Sequence, residues 1–120
     1  MSNRDWLLFV EDILESIGLI ENYAQGMTKE QFYADRKTVD AVVRNFEIIG
    51  EASKYIPENI RQSHQDIDWI GMLGLRNRIA HEYFGVSVSI VWQIIVDDLP
   101  ALRERMRVLF AEYSAKRRRP

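Results

Sequence analysis

Apolar side chains recur at alternating intervals of three and four residues along almost the whole chain. Because an α-helix advances about 100° per residue, this spacing places them on one face of a helix. No segment shows the sustained apolar–polar alternation that is typical of a strand. The clearest series belongs to the first predicted helix: Trp6, Val10, Ile13, Ile17, Ile20 and Ala24. The sequence therefore predicts an all-α fold.

Capping and terminating residues divide this pattern into about five helices. Gly26 ends the first helix, and the second long helix stops before Pro57. Connections this short favour an antiparallel bundle, which we expect to form one domain over residues 1–115, followed by a basic tail over 116–120. The predicted starts are Thr28 with Gln31 (a capping box opening a short turn), Asp35, Ser63 with Asp66, Ser87 and Pro100.

Composition excludes several classes of protein. The chain has no cysteine, so it holds neither a disulfide nor a thiolate metal site. No apolar run reaches the roughly 18 residues that span a bilayer. The N-terminal apolar run contains acidic residues and lacks the small-residue cleavage site of a signal peptide. We therefore expect a cytoplasmic protein that does not enter a membrane.

Charge is distributed unevenly along the chain. The tail carries four basic residues and no acid, which leaves 12 basic against 18 acidic residues in the rest, a net charge of −6. Such a body does not bind nucleic acid over its whole surface, so a polyanion must meet a local basic cleft or the tail. The simpler expectation for the tail alone is a solvated, disordered end.

Residues 74–86, "GLRNRIAHEYFGV", combine an arginine, a histidine and a tyrosine. Helical geometry puts Arg76 at the centre of the apolar arc, with His81 about 140° away. Since an unpaired buried guanidinium is costly, Arg76 requires a carboxylate, a partner chain or a ligand. The simplest structural explanations are an ion pair with Glu47 or Glu51, and a surface or helix-capping role for the histidine.

The same residue types also suit phosphate chemistry. An arginine neutralises a phosphate, and a histidine titrates near neutrality and can move a proton. Breaking an RNA phosphodiester without a metal needs a base for the 2′-hydroxyl, a cation for the charged phosphorane and an acid for the leaving oxygen. One chain supplies one such histidine. Two copies facing each other across a two-fold axis would supply base and acid, which favours a dimer.

Other chemistries fit the sequence less well. The two histidines, His64 and His81, lack the HExxH spacing of a zinc site, and His64 is expected to be exposed at a helix start. The segment "GMLG" at 71–74 matches the GxxG loop of KH domains, but that module needs a sheet. Its glycines are expected instead to permit close helix contact, within the fold or across a dimer. The sequence has no Walker loop, dinucleotide fingerprint or GxSxG elbow, and we expect no metal or cofactor.

With its flanks, the segment resembles HepT, the HEPN-domain toxin encoded beside a minimal nucleotidyltransferase antitoxin. The family's mark is Arg, four to six residues, His, one residue, Tyr; here it is Arg76, "NRIA", His81, Glu82 and Tyr83, with Asn77 as the usual polar residue after the arginine. The flanking stretches "FEIIGEASKYIPE" and "HEYFGV…IVWQIIVDDLPALRERM" are similar to the same family, so the resemblance covers most of the chain.

The resemblance implies an all-helical homodimer that acts as a metal-independent ribonuclease, the toxin of a type VII-like toxin–antitoxin pair. Arg76 and His81 would be catalytic, in a cleft at the dimer interface that binds RNA. Asn77 would be a supporting polar residue, and Arg78 would help to line the cleft. The nucleotidyltransferase antitoxin would neutralise the toxin by transferring AMP to Tyr83.

The alternative is a non-catalytic helical subunit of a two-chain nucleotidyltransferase. In that case Arg76 and His81 would hold a nucleotide or substrate rather than cleave RNA. The intact spacing of His81 and Tyr83 favours catalysis, since a binding partner has no need of it.

Overall fold

The computed structural model describes residues 4–80 and 87–118, with only the backbone at Arg76 and Ala80. Within these residues all regular structure is helical, which confirms the all-α prediction. The segments are α1 (Trp6–Ala24), α2 (Lys29–Ala34), α3 (Arg36–Ser53), α4 (Glu58–Ser63), α5 (Trp69–Leu73), α6 (Leu75–Ala80), α7 (Val88–Gln93), a π turn (Ile94–Asp98) and α8 (Leu99–Arg117).

The core lies where the three long helices meet, with α1 packed against both α3 and α8. The predicted inward face of α1 is buried from Val10 to Ala24, whereas Trp6 is only half-buried and packs edge-on against Tyr113. Each large apolar side chain removed from water contributes about 1.5–3 kcal/mol to burial. The fully enclosed side chains are Val10, Ile13, Ile17, Ile20, Phe32, Val42, Phe46, Ile49, Ile56, Leu99, Met106 and Leu109.

Two predicted helix starts are confirmed in detail. Thr28 and Gln31 form a reciprocal capping box at α2, with N···O distances of 2.9 and 3.1 Å. Asp35 caps α3, where its carboxylate accepts hydrogen bonds from the Thr38 hydroxyl at 2.8 Å and the Thr38 backbone N–H at 3.1 Å. These two bonds favour the charged carboxylate, so they hold the pKa of Asp35 below its usual value.

The predicted cap formed by Ser63 and Asp66 is wrong. Ser63 is the last residue of α4, and its hydroxyl donates back to the carbonyl of Asn59 at 2.9 Å. The next helix is capped instead by Asp68, whose carboxylate accepts from the Gly71 N–H at 3.0 Å. The chain makes a further turn after α4 to bury Ile67, and this turn delays the helix start.

The two helices predicted to start at Ser87 and Pro100 are joined rather than separate. Ser87 takes the N-cap position of α7, but its side chain makes no capping bond. The π turn then connects α7 to α8, with the Leu99 N–H donating to the carbonyl of Ile94 five residues earlier. A proline in a helix removes one N–H and crowds the carbonyl four residues back. The wider π turn accommodates Pro100 without a break.

Helix α8 continues into the region predicted as the tail. Lys116 and Arg117 form its last turn, and Lys116 pairs with Glu112 at 3.2 Å. Arg117 pairs with Asp5 and lies over the ring of Trp6, 5.3 Å from its centroid. The expectation of a disordered end is therefore wrong for these two residues, which hold the end of α8 against the start of α1.

Candidate functional site

The segment predicted to carry the chemistry begins on α6, directly after α5. Gly74 separates the two helices, and a Cβ at that position would lie 3.2 Å from the carbonyl oxygen of Ile70. The buried side chains of the pair are Trp69, Met72, Leu75 and Ile79. The predicted apolar arc omitted Leu75, which is buried; the Arg76 side chain lies outside the described residues, so its place in the arc remains a prediction.

The structure places only part of the predicted site. Asn77 and Arg78 are exposed on α6. The Arg76 side chain, His81 and Tyr83 lie outside the described residues, so their roles remain predictions. Of the carboxylates considered as partners for Arg76, Glu51 pairs with Lys54 at 3.0 Å.

The start of α5 is held by hydrogen bonds that fix the approach to α6. Asp68 caps the helix through Gly71, and the indole N–H of Trp69 donates to the carbonyl of His64 at 3.0 Å. A Cβ on Gly71 would collide with the Asp68 carboxylate, so the glycine makes room for the cap. In the described residues the close neighbours of Gly71 and Gly74 belong to the same segment, so these glycines do not serve contact between helices of one chain; contact across a dimer remains a prediction.

Asp68→Ala is expected to lower the free energy of unfolding by about 0.5–2 kcal/mol, because it removes the cap of α5. Asp66→Ala is the matched control: among the residues that the structure describes, its carboxylate makes only an exposed 3.9 Å ion pair with Arg105, and such pairs contribute little. Urea unfolding of the three proteins measures the difference. Equal losses in both variants would show that the cap does not stabilise this region.

His64 is not exposed at a helix start, as the sequence suggested. Its side chain is 16% exposed, and its Nε2 lies 3.3 Å from the Tyr113 hydroxyl and 3.8 Å from the Glu112 carboxylate. These contacts join the end of α4 to α8. Within the described residues, His64 therefore acts as a packing residue between two helices.

A cavity of about 320 Å³ lies beside α6, and we call it the α6 cavity. α5 and α6 form one wall, and the π turn and the first turns of α8 form the other. Arg78 lines the first wall, and Asp97 and Asp98 line the second. The sequence did not indicate these two aspartates as site residues, because acidic residues before Pro100 are typical of the start of a helix. The π turn brings them to the cavity.

A second depression of about 340 Å³ runs between α1 and α3. Arg44, Glu47 and Glu51 of α3 line it, together with the stacked rings of Phe9 and Tyr55.

Among residues 4–80 and 87–118, no group of three or more histidine, aspartate or glutamate side chains is arranged to hold a metal ion. Over the same residues, no helix is long and apolar enough to cross a membrane.

The family model "Ribonuclease HepT-like" matches residues 13–109. The chain belongs to the HepT-like ribonuclease family. The matched range contains the whole Arg76–Tyr83 motif, and it also contains Asp97 and Asp98 of the α6 cavity. No solved structure matches this HepT-like chain.

Three curated relatives are similar to this HepT-like chain over 83% or more of their own length. "Probable ribonuclease HepT" of Thermococcus cleftensis is 42% identical over 90% of this chain and 96% of its own. Two proteins of Methanocaldococcus jannaschii, each named a "Putative RNase", are 38% and 35% identical. The first match covers 83% of both chains, and the second covers 91% of this chain and all of the relative.

Proposed function

We propose that this chain is a metal-independent ribonuclease toxin that cleaves RNA with Arg76 and His81 in a cleft between two copies. The observation that supports the proposal is the position of the complete motif, which lies inside the family match and starts on α6, next to the exposed Asn77 and Arg78. A nucleotidyltransferase antitoxin neutralises the toxin by attaching AMP to Tyr83.

In this mechanism, Arg76 stabilises the charge that develops on the phosphorane. His81 of one copy takes the proton from the ribose 2′-hydroxyl, and the same histidine of the second copy protonates the leaving oxygen. The 2′-oxygen attacks phosphorus, so the products are a 2′,3′-cyclic phosphate and a free 5′-hydroxyl. No metal is needed, because both proton transfers and the phosphate charge are served by side chains.

The surface around α6 supports a second copy at this position. Ile70, on α5, is 85% exposed, whereas the other large apolar side chains of α5 are buried or half-buried. Covering it with a partner would remove an exposed apolar side chain beside the motif. A dimer also doubles the positive charge available from Arg78, which an acidic body needs in order to bind RNA.

The purified protein is expected to cleave total RNA in the presence of EDTA, and light scattering is expected to show a particle of twice 14.1 kDa. End analysis of the fragments should find cyclic or 3′-phosphates. Loss of cleavage in EDTA would exclude the metal-independent mechanism. A monomer at micromolar concentration would exclude the shared cleft.

Expression without an antitoxin separates catalysis from nucleotide binding. A ribonuclease toxin arrests growth, and His81→Ala abolishes the arrest. Growth arrest that persists in this variant would favour a non-catalytic subunit of a nucleotidyltransferase.

A further inference from the structure

The α6 cavity has the size of a small-ligand site. Its volume of about 320 Å³ is at the lower end of the roughly 300–1,000 Å³ that is usual for such sites. It therefore suits one aromatic ring system with a polar edge rather than an extended ligand. Its position beside α6 places that ligand next to the start of the motif.

The floor of the cavity is apolar and buried. Buried side chains from α3, α5, α6 and α8 form it: Phe46, Met72, Leu75 and Leu99. The flat face of a nucleobase buries favourably against such side chains, since base-stacking and apolar contacts do not require hydrogen bonds from the face. The floor of the cavity therefore favours a ligand with a planar, apolar face.

The rim supplies hydrogen-bond acceptors that have no partner within the described residues. Asp97 and Asp98 are exposed and make no side-chain hydrogen bond or ion pair there, whereas the Asp68 carboxylate already accepts from Gly71. Asp97 and Asp98 both belong to the π turn, a helix type that occurs frequently at functional sites. Ionised carboxylates only accept hydrogen bonds, so the ligand edge at this rim must donate.

Guanine satisfies this requirement best among the four RNA bases. Its Watson–Crick edge presents a ring N–H and an amino group side by side, which matches the two oxygens of one carboxylate in a bidentate, charge-assisted pair. Adenine and cytosine place an acceptor nitrogen beside the amine. Uracil offers one ring N–H between two carbonyl oxygens, which a carboxylate repels.

Arg78 completes the site from the opposite wall. It makes no ion pair within the described residues, whereas Arg105, also on the rim, lies 3.9 Å from Asp66. Arg78 lines the cavity, so it can bind the phosphate of a nucleotide whose base is held there. Three aspartates against two arginines make the rim net negative, so phosphate alone binds poorly and the base must provide the selectivity.

From this arrangement we infer that the α6 cavity is a base-binding subsite for one guanine of the RNA substrate, with Asp97 and Asp98 reading the base and Arg78 holding its phosphate. The role of this subsite in cleavage rests on the proposed ribonuclease function. Binding to the cavity does not, so it can be measured without catalysis.

The test uses labelled 2′-O-methyl oligouridylates that carry a single central guanine, adenine, cytosine or uracil, which the proposed mechanism cannot cleave because the 2′-oxygen is blocked. Fluorescence anisotropy with the full chain is expected to show guanine bound about 5- to 150-fold more tightly than uracil, the range for a good bidentate base contact. The double variant Asp97→Asn/Asp98→Asn loses this preference. The double variant Asp40→Asn/Glu104→Gln, an equal charge change at two exposed carboxylates that do not line the cavity, keeps it.

Equal affinity for all four oligonucleotides, or a guanine preference unchanged in the double variant, would overturn the subsite. A preference for adenine or cytosine over guanine would overturn it as well. Cleavage of unmodified RNA is assayed separately. Guanine-selective binding without cleavage would refute the ribonuclease function and support the subsite. Cleavage without selective binding of guanine would support the ribonuclease function and refute the subsite.

Discussion

Arg76→Ala is expected to slow RNA cleavage by on the order of 10²-fold or more, the usual cost of losing a group that stabilises transition-state charge. His81→Ala is expected to lose cleavage to a similar or greater degree, because each active dimer then lacks both its base and its acid. Single-turnover digestion of a defined RNA measures both rates. If two copies of the motif share one cleft, as proposed, mixed dimers of the two variants would also report whether the residues act across the interface.

Arg107→Ala is the matched control for the loss of a cation. Arg107 is exposed on α8, and its ion pair in the described part of the chain is a 3.8 Å contact with Glu104 one turn away. This variant should cleave at the rate of the unchanged protein. Full activity in both Arg76→Ala and His81→Ala, with intact helical circular dichroism, would contradict the mechanism.

Transfer of AMP to Tyr83 is expected to abolish cleavage. The added nucleotide places a bulky anion beside Arg76 and His81, where its phosphate can pair with the arginine and its nucleoside fills space that RNA needs. A tyrosine hydroxyl has an ordinary pKa of about 10 and is a poor base at neutral pH, so Tyr83 is not required for proton transfer. Co-expression with a cognate nucleotidyltransferase should therefore yield an inactive protein with the mass of AMP on this residue.

Tyr83→Phe should remain active and escape neutralisation by modification. Tyr33→Phe removes the hydroxyl of an exposed tyrosine on α2, and this variant should be both modified and neutralised like the unchanged protein. Intact-mass measurement and peptide mapping locate the AMP. Full nuclease activity in a preparation modified on Tyr83, or no added mass there, would refute this form of control.

The fold was largely predictable because the periodic spacing of apolar residues in a long amphipathic helix is visible in the sequence. The inward faces of α1 and α3 could be read from apolar spacing alone, and the capping box at Thr28 follows from hydrogen bonds between residues three apart. Short elements were less predictable. Whether Asp66 or Asp68 caps α5 depends on how the chain buries Ile67. That burial is a tertiary effect, which the local spacing of residues does not predict.

The candidate site was predictable only in its motif. Arg76, His81 and Tyr83 stand out because their residue types and spacing suit one reaction, whereas Asp97 and Asp98 have no such local mark. Their place beside Arg78 depends on the π turn and on packing between elements far apart in sequence. The burial of His64 depends in the same way on Tyr113, 49 residues later.

The π turn also constrains how this gene can change length. A π turn contains one residue more than the corresponding α-helical turn, so it has the form of a single-codon insertion. Deleting that codon would restore an α-helix but rotate α7 by about 100° relative to α8. Trp92, whose ring centroid is 5.2 Å from that of Phe32, and the buried Val91 would then leave their present neighbours. Single-codon deletions within residues 94–98 should therefore be selected against more strongly than deletions in the exposed turn at Gln25 and Gly26.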